Sequence, residues 1–217
     1  HIKAAAIKAI NDGFTKYTAV DGTAGLKKAI IAKFKNDNGL DYQPNQILVS
    51  CGGKQSSYNL TQALLNPGDE VIIPAPYWVS YAEIVKVAGG IPVVVPTTIE
   101  SDFKFTPEQF RAAITPKSKM MMFSSPCNPT GTVYTKEELR ALADVIKENP
   151  NILVMSDEIY EHINFLGHHH SLAQFADVFD QVVTVNGVSK AWAMTGWRVG
   201  YIGAPKDIAD ACNKRSE

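Results

Sequence analysis

The sequence predicts an α/β fold: a mostly parallel sheet of seven strands flanked by helices. Three observations support this fold class. Seven short runs rich in β-branched and apolar residues alternate with longer stretches of helical spacing. Runs such as KMMMF and ILVMS are apolar at consecutive positions, which is typical of strands covered by helices on both faces. The 217 residues, 45% of them hydrophobic, suffice for one substantial core.

Each predicted strand is a short β-rich run, and helical stretches separate most of them. In chain order the predicted strands are 46–50, 70–74, 91–95, 119–124, 151–156, 182–186 and 199–203. Helical spacing predicts helices over 23–38, 53–65, 106–114 and 135–147. The chain also begins in helical rhythm and ends a few residues into another helical pattern.

Two of these helices carry start signals. Thr106 is a suitable N-cap, and Pro107 stands at the first helical position, where proline is favoured. Thr135 and Glu138 have the spacing of a capping box, just ahead of the apolar Leu139. We therefore predict that these two helices begin at those threonines.

Composition and charge argue against several classes of protein. The 21 basic and 22 acidic residues give a net charge of −1, which disfavours general binding to a nucleic-acid backbone. No run approaches the roughly 20 apolar residues that a membrane helix needs. Cys51, Cys127 and Cys212 are too few and too scattered for a disulfide framework or a zinc site. We expect a cytoplasmic protein without nucleic-acid or membrane partners.

Chemically versatile residues follow five of the predicted strands. Open parallel sheets bind ligands beyond the carboxyl ends of their strands. The segments at these ends are CGGKQ (51–55), PYW (76–78), SPCNP (125–129), DEIY (157–160) and SK (189–190). They carry glycines, aromatic rings, an amide, carboxylates and a lysine, so the sequence predicts one shared site at this edge.

Nucleotide-binding motifs do not fit these segments. A phosphate-binding loop requires a glycine five residues before Gly53, where Leu48 stands, and a serine or threonine after Lys54, where Gln55 stands. The glycine fingerprint of dinucleotide-binding folds is absent as well. The sequence therefore disfavours both an NTPase and a nicotinamide enzyme.

The sequence also gives little support for a serine or cysteine hydrolase or for a metal site. The residues around Ser189 depart from the GxSxG nucleophile elbow of serine hydrolases, because Ala191 stands at the position of its second glycine. No histidine follows His170, although the motif needs one downstream. Cys127 has no base nearby in the sequence. Residues 168–170 are consecutive histidines, which cannot all face one ion on regular structure, so a solvated loop is the better interpretation.

The remaining interpretation centres on Lys190, predicted at the end of a buried strand. Burial there would favour the neutral amine that forms imines. Pyridoxal phosphate is a cofactor that needs such a lysine, together with an acidic partner for its ring nitrogen and a phosphate site. Asp157 ends a preceding strand and could face the ring nitrogen. Tyr160 would share that face if a helix began there, and Arg198 could bind phosphate in a bidentate manner.

Two further segments fit the same cofactor. Gly53, Lys54 and Gln55 would open a helix whose free N–H groups receive the phosphate. Trp78 or Tyr77 would offer a flat surface against the ring. The residues alone thus favour a pyridoxal-phosphate site built at the strand ends.

Several blocks of the sequence resemble the signature blocks of class I aminotransferases of the aspartate aminotransferase family. These are SSPCNPTG (124–131), SDEIY (156–160) and SKAWAMTGWRVGY (189–201), with matching segments at YTAVDGTAGLKKAI (17–30), GGKQ and PYW. The resemblance covers essentially the whole chain and is closest to bacterial aspartate aminotransferases. It implies the large domain of the fold type I pyridoxal-phosphate-dependent transferases.

The resemblance implies a role for each residue that contacts the ring. Lys190 occupies the position of the lysine that binds the cofactor as a Schiff base and moves the substrate proton. Asp157 would pair with the pyridine nitrogen. Asn128 and Tyr160 would hydrogen-bond the phenolic oxygen of the ring. Trp78 would pack on the ring and line the substrate side.

The resemblance also implies a phosphate site and a dimer. Phosphate contacts fall at the helix opening and beyond the lysine: Gly53, Lys54, Gln55 (the last two chiefly through backbone) and Arg198. Tyr17 matches a tyrosine that reaches the phosphate of the neighbouring subunit, which implies a homodimer with shared active sites. Gly187 stands where some relatives carry a phosphate-binding serine, so whether Ser189 supplies that hydroxyl stays open.

The function implied is an aminotransferase that moves an amino group between an L-amino acid, aspartate foremost, and 2-oxoglutarate. Another activity on the same scaffold stays open, either aromatic aminotransfer or cleavage of a C–S bond, as does a non-catalytic cofactor-binding relative. Residues 1–217 would correspond to the cofactor-binding large domain, without the N-terminal segment and C-terminal small domain that grip the substrate. We expect this chain alone to bind cofactor with little or no transamination.

Overall fold

A computed structural model describes residues 1–216, and Glu217, the last residue of the predicted domain, lies outside the described residues. The strands are β1 (Ile47–Ser50), β2 (Glu70–Ala75), β3 (Ile91–Pro96), β4 (Ser118–Ser124), β5 (Leu153–Asp157), β6 (Val182–Gly187) and β7 (Gly200–Gly203). The α-helices are α1 (Ile2–Asn11), α2 (Ala24–Asn38), α3 (Gly53–Leu64), α4 (Ser80–Val87), α5 (Pro107–Ala113), α6 (Lys136–Glu148) and α7 (Lys206–Ser216).

The seven strands form one sheet in the order β1-β7-β6-β5-β4-β2-β3. All neighbouring pairs are parallel except those that β7 makes with β1 and β6. β7 runs antiparallel because the segment joining it to β6 contains no crossover helix, which a parallel pair requires. The predicted α/β fold with a mostly parallel seven-stranded sheet is confirmed.

The sheet is buried on both faces. In β4, Met120 and Met122 pack into the apolar cluster on one face, and Met121 and Phe123 pack into the cluster on the other. This arrangement explains why the strand is apolar at consecutive positions. β3 differs because it is an edge strand: its side chains are partly exposed, and prolines are tolerated there.

The predicted helix starts are confirmed for α5 and α6. Thr106 Oγ1 accepts the N–H of Gln109 at 3.2 Å, and Thr135 Oγ1 accepts the N–H of Glu138 at 3.2 Å. The helix α4 was not predicted, because it is only 8 residues long and Val79 at its N-cap offers no capping side chain. None of the helices in residues 1–216 is long and apolar enough to cross a bilayer.

Candidate active site

A cavity of about 290 Å³ opens where β4, β5 and β6 end and α3 begins. This is the edge at which ligands bind in open parallel sheets. Its lining consists of Gly53, Lys54, Trp78, Tyr81, Ser124, Asn128, Asp157, Ile159, Tyr160, Ser189, Lys190, Thr195 and Arg198. The site residues predicted from the sequence line this cavity except Gln55 and Tyr17, and of the two alternatives Trp78 and Tyr77 only Trp78 does.

Asp157 is the buried carboxylate of the cavity. Its Oδ2 accepts a hydrogen bond from Tyr81 Oη at 2.7 Å, and its Oδ1 accepts the N–H of Ile159 at 3.2 Å. Burial raises the pKa of Asp157, and the two hydrogen bonds only partly oppose this effect. The carboxylate is thus held by neutral donors in a place where a cationic partner would stabilise its charge.

Tyr81 is a cavity residue that was not predicted from the sequence. Burial and the neighbouring charge of Asp157 raise the pKa of the phenol well above its usual value, so Tyr81 stays a hydrogen-bond donor. Its ring meets Trp78 edge to face, with 5.6 Å between ring centres. It lies on α4, the unpredicted helix, and the only signal for it was its position three residues after Trp78.

Tyr160, Asn128 and Lys190 also line the cavity. Asn128 Nδ2 lies 3.4 Å from Tyr160 Oη, and Lys190 Nζ lies 5.8 Å from the centre of the Tyr160 ring. Tyr160 belongs to a turn rather than the helix considered in the sequence analysis, yet it lines the same cavity as Asp157. Lys190 is exposed, contrary to the expected burial, because it follows β6 by three residues instead of ending it.

Arg198 and the start of α3 form a narrow cradle. The guanidinium donates to the carbonyls of Thr195 at 2.8 Å and Cys51 at 3.3 Å. Gly52 has φ +88°, and a Cβ placed on it would lie 2.2 Å from Arg198 Nη2. A Cβ on Gly200 would lie 2.3 Å from the backbone of Gly52. A helix N-terminus beside a guanidinium is a site for an anion.

Three further residues named above, Gln55, Lys54 and Gly187, have defined positions. Gln55 Oε1 accepts the N–H of Cys51 at 2.5 Å, so this side chain closes the loop and does not line the cavity. Lys54 Nζ stands 4.8 Å from the centre of a Trp78 ring. A Cβ on Gly187 would lie 2.8 Å from the Val199 carbonyl, which leaves no room for a side chain there.

Tyr17 lies apart from the cavity of its own chain. It is fully exposed, in a segment that follows α1. Exposed apolar side chains accompany it in the same N-terminal region: Ile7, Ile10, Phe14 and Val20. An exposed apolar stretch of this size is typical of a surface that another chain covers.

The aminotransferase class I and II family model matches residues 1–217. This chain belongs to that family. It is 55% identical over 213 residues to the aspartate/prephenate aminotransferase of Nitrosomonas europaea, a match that covers 97% of this chain and 54% of the relative. It is 52% identical over 213 residues to the aspartate aminotransferase of Geobacillus stearothermophilus, a match that covers 97% of this chain and 54% of that relative.

Solved structures of aminotransferases share the fold. The aspartate aminotransferase of Rhizobium meliloti superposes with a TM-score of 0.98 at 45% identity, covering 100% of this chain and 55% of the other. The Thermus thermophilus aspartate aminotransferase with maleate superposes with a TM-score of 0.96 at 47% identity, covering 100% of this chain and 56% of the other. The predicted transferase fold type I is therefore confirmed, and the chain spans about half the length of the relatives it matches.

Proposed function

We propose that this chain is the cofactor-binding large domain of a pyridoxal-phosphate-dependent aminotransferase, which exchanges an amino group between an L-amino acid and a 2-oxo acid. The observation that carries the proposal is the convergence of Lys190, Asp157 and Arg198 on one cavity. Aspartate and 2-oxoglutarate are the proposed substrates, supported by relatives named for aspartate in Nitrosomonas and Geobacillus.

The residues present fit pyridoxal phosphate. The cradle at Gly52 has no room for a Cβ and places Arg198 beside the N-terminus of α3, as an anionic phosphate requires. Among residues 1–216 the hydrogen-bond partners of the buried Asp157 carboxylate are neutral, which leaves its charge available for the protonated nitrogen of the ring. When bound, this cofactor supplies an electron sink for the charge that develops as the substrate loses its α-proton.

The side chains of this site then have separate tasks. Lys190 Nζ would hold the cofactor covalently, and once free it would accept the α-proton and return it. Asp157 would keep a proton on the ring nitrogen, while Tyr81 holds the carboxylate in place. Asn128 and Tyr160 would donate hydrogen bonds to the phenolic oxygen, and Trp78 would cover one face of the ring.

We also propose a homodimer with shared sites. Its support is the exposed apolar N-terminal region together with Tyr17, which lies outside the cavity of its own chain. Tyr17 would reach the phosphate of the neighbouring subunit. Ser189 lines the cavity beside Lys190, and its hydroxyl is proposed as a further phosphate ligand because Gly187 has no side chain to offer.

Replacing Gly52 with alanine should weaken the binding of pyridoxal phosphate at least about tenfold, because the new methyl group would displace the Arg198 guanidinium. Equilibrium titration of the cofactor-free protein measures the change. Gly167→Ala is the matched control: φ is +82° there too, but a Cβ meets nothing within 4 Å. Equal affinities of the two variants would contradict the cradle as a phosphate site.

The kinetic experiments below use the intact protein, meaning the enzyme that contains this chain as its proposed large domain. Replacing Tyr81 with phenylalanine should lower kcat of the intact protein about tenfold, because a hydrogen bond to a charged carboxylate is lost. The ring and its packing against Trp78 are kept, so the thermal unfolding midpoint should change little. Steady-state kinetics and a melting curve are the measurements. A wild-type kcat in Tyr81→Phe would show that the hydrogen bond from Tyr81 to Asp157 does not contribute to catalysis.

Oxo-acid exchange by the intact protein tests the proposed reaction. Aspartate with 2-oxoglutarate should yield oxaloacetate and glutamate. Release of pyruvate and ammonia without exchange would indicate C–S cleavage instead. A preference for aromatic amino acids would indicate the activity for which a Pyrococcus horikoshii structure is named, at 40% identity and a TM-score of 0.96. Cofactor binding without any turnover would indicate a non-catalytic relative.

A further inference from the structure

A second buried polar cluster lies next to the cavity residues but outside the cavity. Its members are Glu158, Glu161, His169 and Lys33. Ligand-type atoms of the two glutamates and the histidine lie within 4.8 Å of one another. Their side chains are 1%, 3% and 8% exposed, respectively. Such deeply buried charges are costly unless they are paired and hydrogen-bonded.

Glu158 is fully engaged by neighbours from the loop around residues 169–171. Its Oε2 lies 2.9 Å from His169 Nε2. Its Oε1 accepts hydrogen bonds from Ser171 Oγ at 2.6 Å and Ser156 Oγ at 3.0 Å. The carboxylate thus ties the end of β5 to this loop.

Glu161 is engaged from two other elements. It forms an ion pair with Lys33 of α2. Asn38, at the end of α2, donates to Oε2 at 2.8 Å, and Asn186 of β6 donates to Oε1 at 2.7 Å. His162 Nε2 also approaches Oε1, at 3.4 Å. Both glutamates therefore anchor one short segment to the surrounding fold.

The charges of the cluster balance when His169 is an imidazolium. Glu158 and Glu161 are then matched by Lys33 and His169. Burial disfavours the imidazolium, but the hydrogen bond and charge of Glu158, with the charge of Glu161, outweigh it and raise the pKa of His169. Other titratable groups also face the cluster: His162 Nε2 lies 3.4 Å from Glu161 Oε1 and 3.5 Å from Asp37 Oδ2. His168 and His170 adjoin His169 in the chain. Lys33 thus pairs with Glu161, and His169 pairs with Glu158.

This cluster holds the segment that presents the cavity residues. Glu158 directly follows Asp157, and Glu161 directly follows Tyr160. The backbone N–H of Glu158 also donates to the Val185 carbonyl of β6 at 2.9 Å, so the segment is fixed to the strand that leads to the lysine. Because each glutamate is covalently joined to a site residue, a shift of its backbone would also displace that residue.

We propose that His169 is a positioning residue for the reaction: through Glu158 it holds Asp157 and Tyr160 at the cofactor cavity. The proposal rests on the proposed function, since it concerns the geometry of that site. His169 is not among the described residues that line the cavity, and the partner of its Nε2 is Glu158. Its effect is therefore carried by the segment between Asp157 and Glu161.

Three variants of the intact protein test this role. His169→Leu removes the partner of Glu158, His169→Gln keeps a neutral donor of similar reach, and His168→Gln is the exposed control next to it. The readouts are kcat, the pH midpoint of the visible absorption of the bound cofactor, and the unfolding midpoint of the cofactor-free protein. Misplacement of reacting groups by about 1 Å can reduce a rate about 100-fold.

We expect His169→Leu to lower kcat roughly tenfold to 100-fold and to shift the pH midpoint of the absorption, with His169→Gln between it and the wild type. His168→Gln should match the wild type.

A His169→Leu protein that unfolds at lower temperature but keeps the wild-type kcat and pH midpoint would overturn the proposal. If that variant does not fold, His169→Gln with a wild-type kcat and midpoint would overturn it equally. A wild-type protein without the absorption band would overturn the proposed function itself.

Discussion

Replacing Lys190 with alanine should lower kcat of the intact protein by roughly 10⁴-fold or more, the largest effect expected of any single substitution in this chain. Two tasks are lost together: covalent attachment of the cofactor and transfer of the substrate α-proton. The position of Lys190 Nζ beside the Tyr160 ring leaves it accessible at the cavity, and no other lysine except Lys54 lines it. Within the described residues, no second amine is placed to replace it in both tasks.

Steady-state kinetics with aspartate and 2-oxoglutarate measure the loss. Lys136→Ala is a suitable control because Lys136 is exposed at the start of α6, away from the cavity. The control should keep wild-type kinetics. An added primary amine should restore part of the lost activity if proton transfer is the missing step. Retention of activity in Lys190→Ala would remove this lysine from the reaction.

Replacing Asp157 with asparagine should have the second-largest effect, a fall in kcat of about 10³-fold. An amide has nearly the same shape, but it carries no charge to hold a proton on the ring nitrogen, so the electron sink is weakened. Tyr81 Oη and the N–H of Ile159 are positioned as before. A loss confined to KM would show that Asp157 contributes to binding alone.

The same substitution should stabilise the cofactor-free protein at neutral pH. Burial raises the folded-state pKa of Asp157 above its unfolded value, so ionisation of this group opposes folding at pH values above both. The opposing effect diminishes as the pH falls through the raised pKa. Asp157→Asn should therefore unfold at a higher temperature than the wild type at pH 7, and the difference should vanish in acid. A variant that is more stable yet much slower would show that this carboxylate serves function at the expense of stability.

The strands and most helices could be predicted because their signals are local. β4 is apolar at consecutive positions since both of its faces are buried, and α6 begins with a capping box that the structure contains. The antiparallel direction of β7 and the start of α4 could not be read in this way. Strand direction depends on how the connecting segment packs, and α4 begins without a capping side chain.

Most residues of the site were predictable for a related reason. Those that were not predictable depend on features without a local sequence signal. Residues at the carboxyl ends of parallel strands meet at one edge, which is why Asp157, Asn128 and Lys190 could be grouped from sequence. Tyr81 escaped because it depends on α4. The orientation of Gln55, turned toward Cys51, is set by a loop hydrogen bond that no sequence pattern indicates.

The proposed function requires above all that the cavity bind pyridoxal phosphate covalently through Lys190. Borohydride reduction of the intact protein after incubation with pyridoxal phosphate makes such a bond permanent, and peptide mapping by mass spectrometry then locates it. We expect the cofactor mass on the peptide that contains Lys190, and less of it on that peptide in the Gly52→Ala protein at limiting cofactor. Cofactor found on Lys54 or scattered over exposed lysines, with Lys190 unmodified, would show that the proposed attachment to Lys190 is wrong.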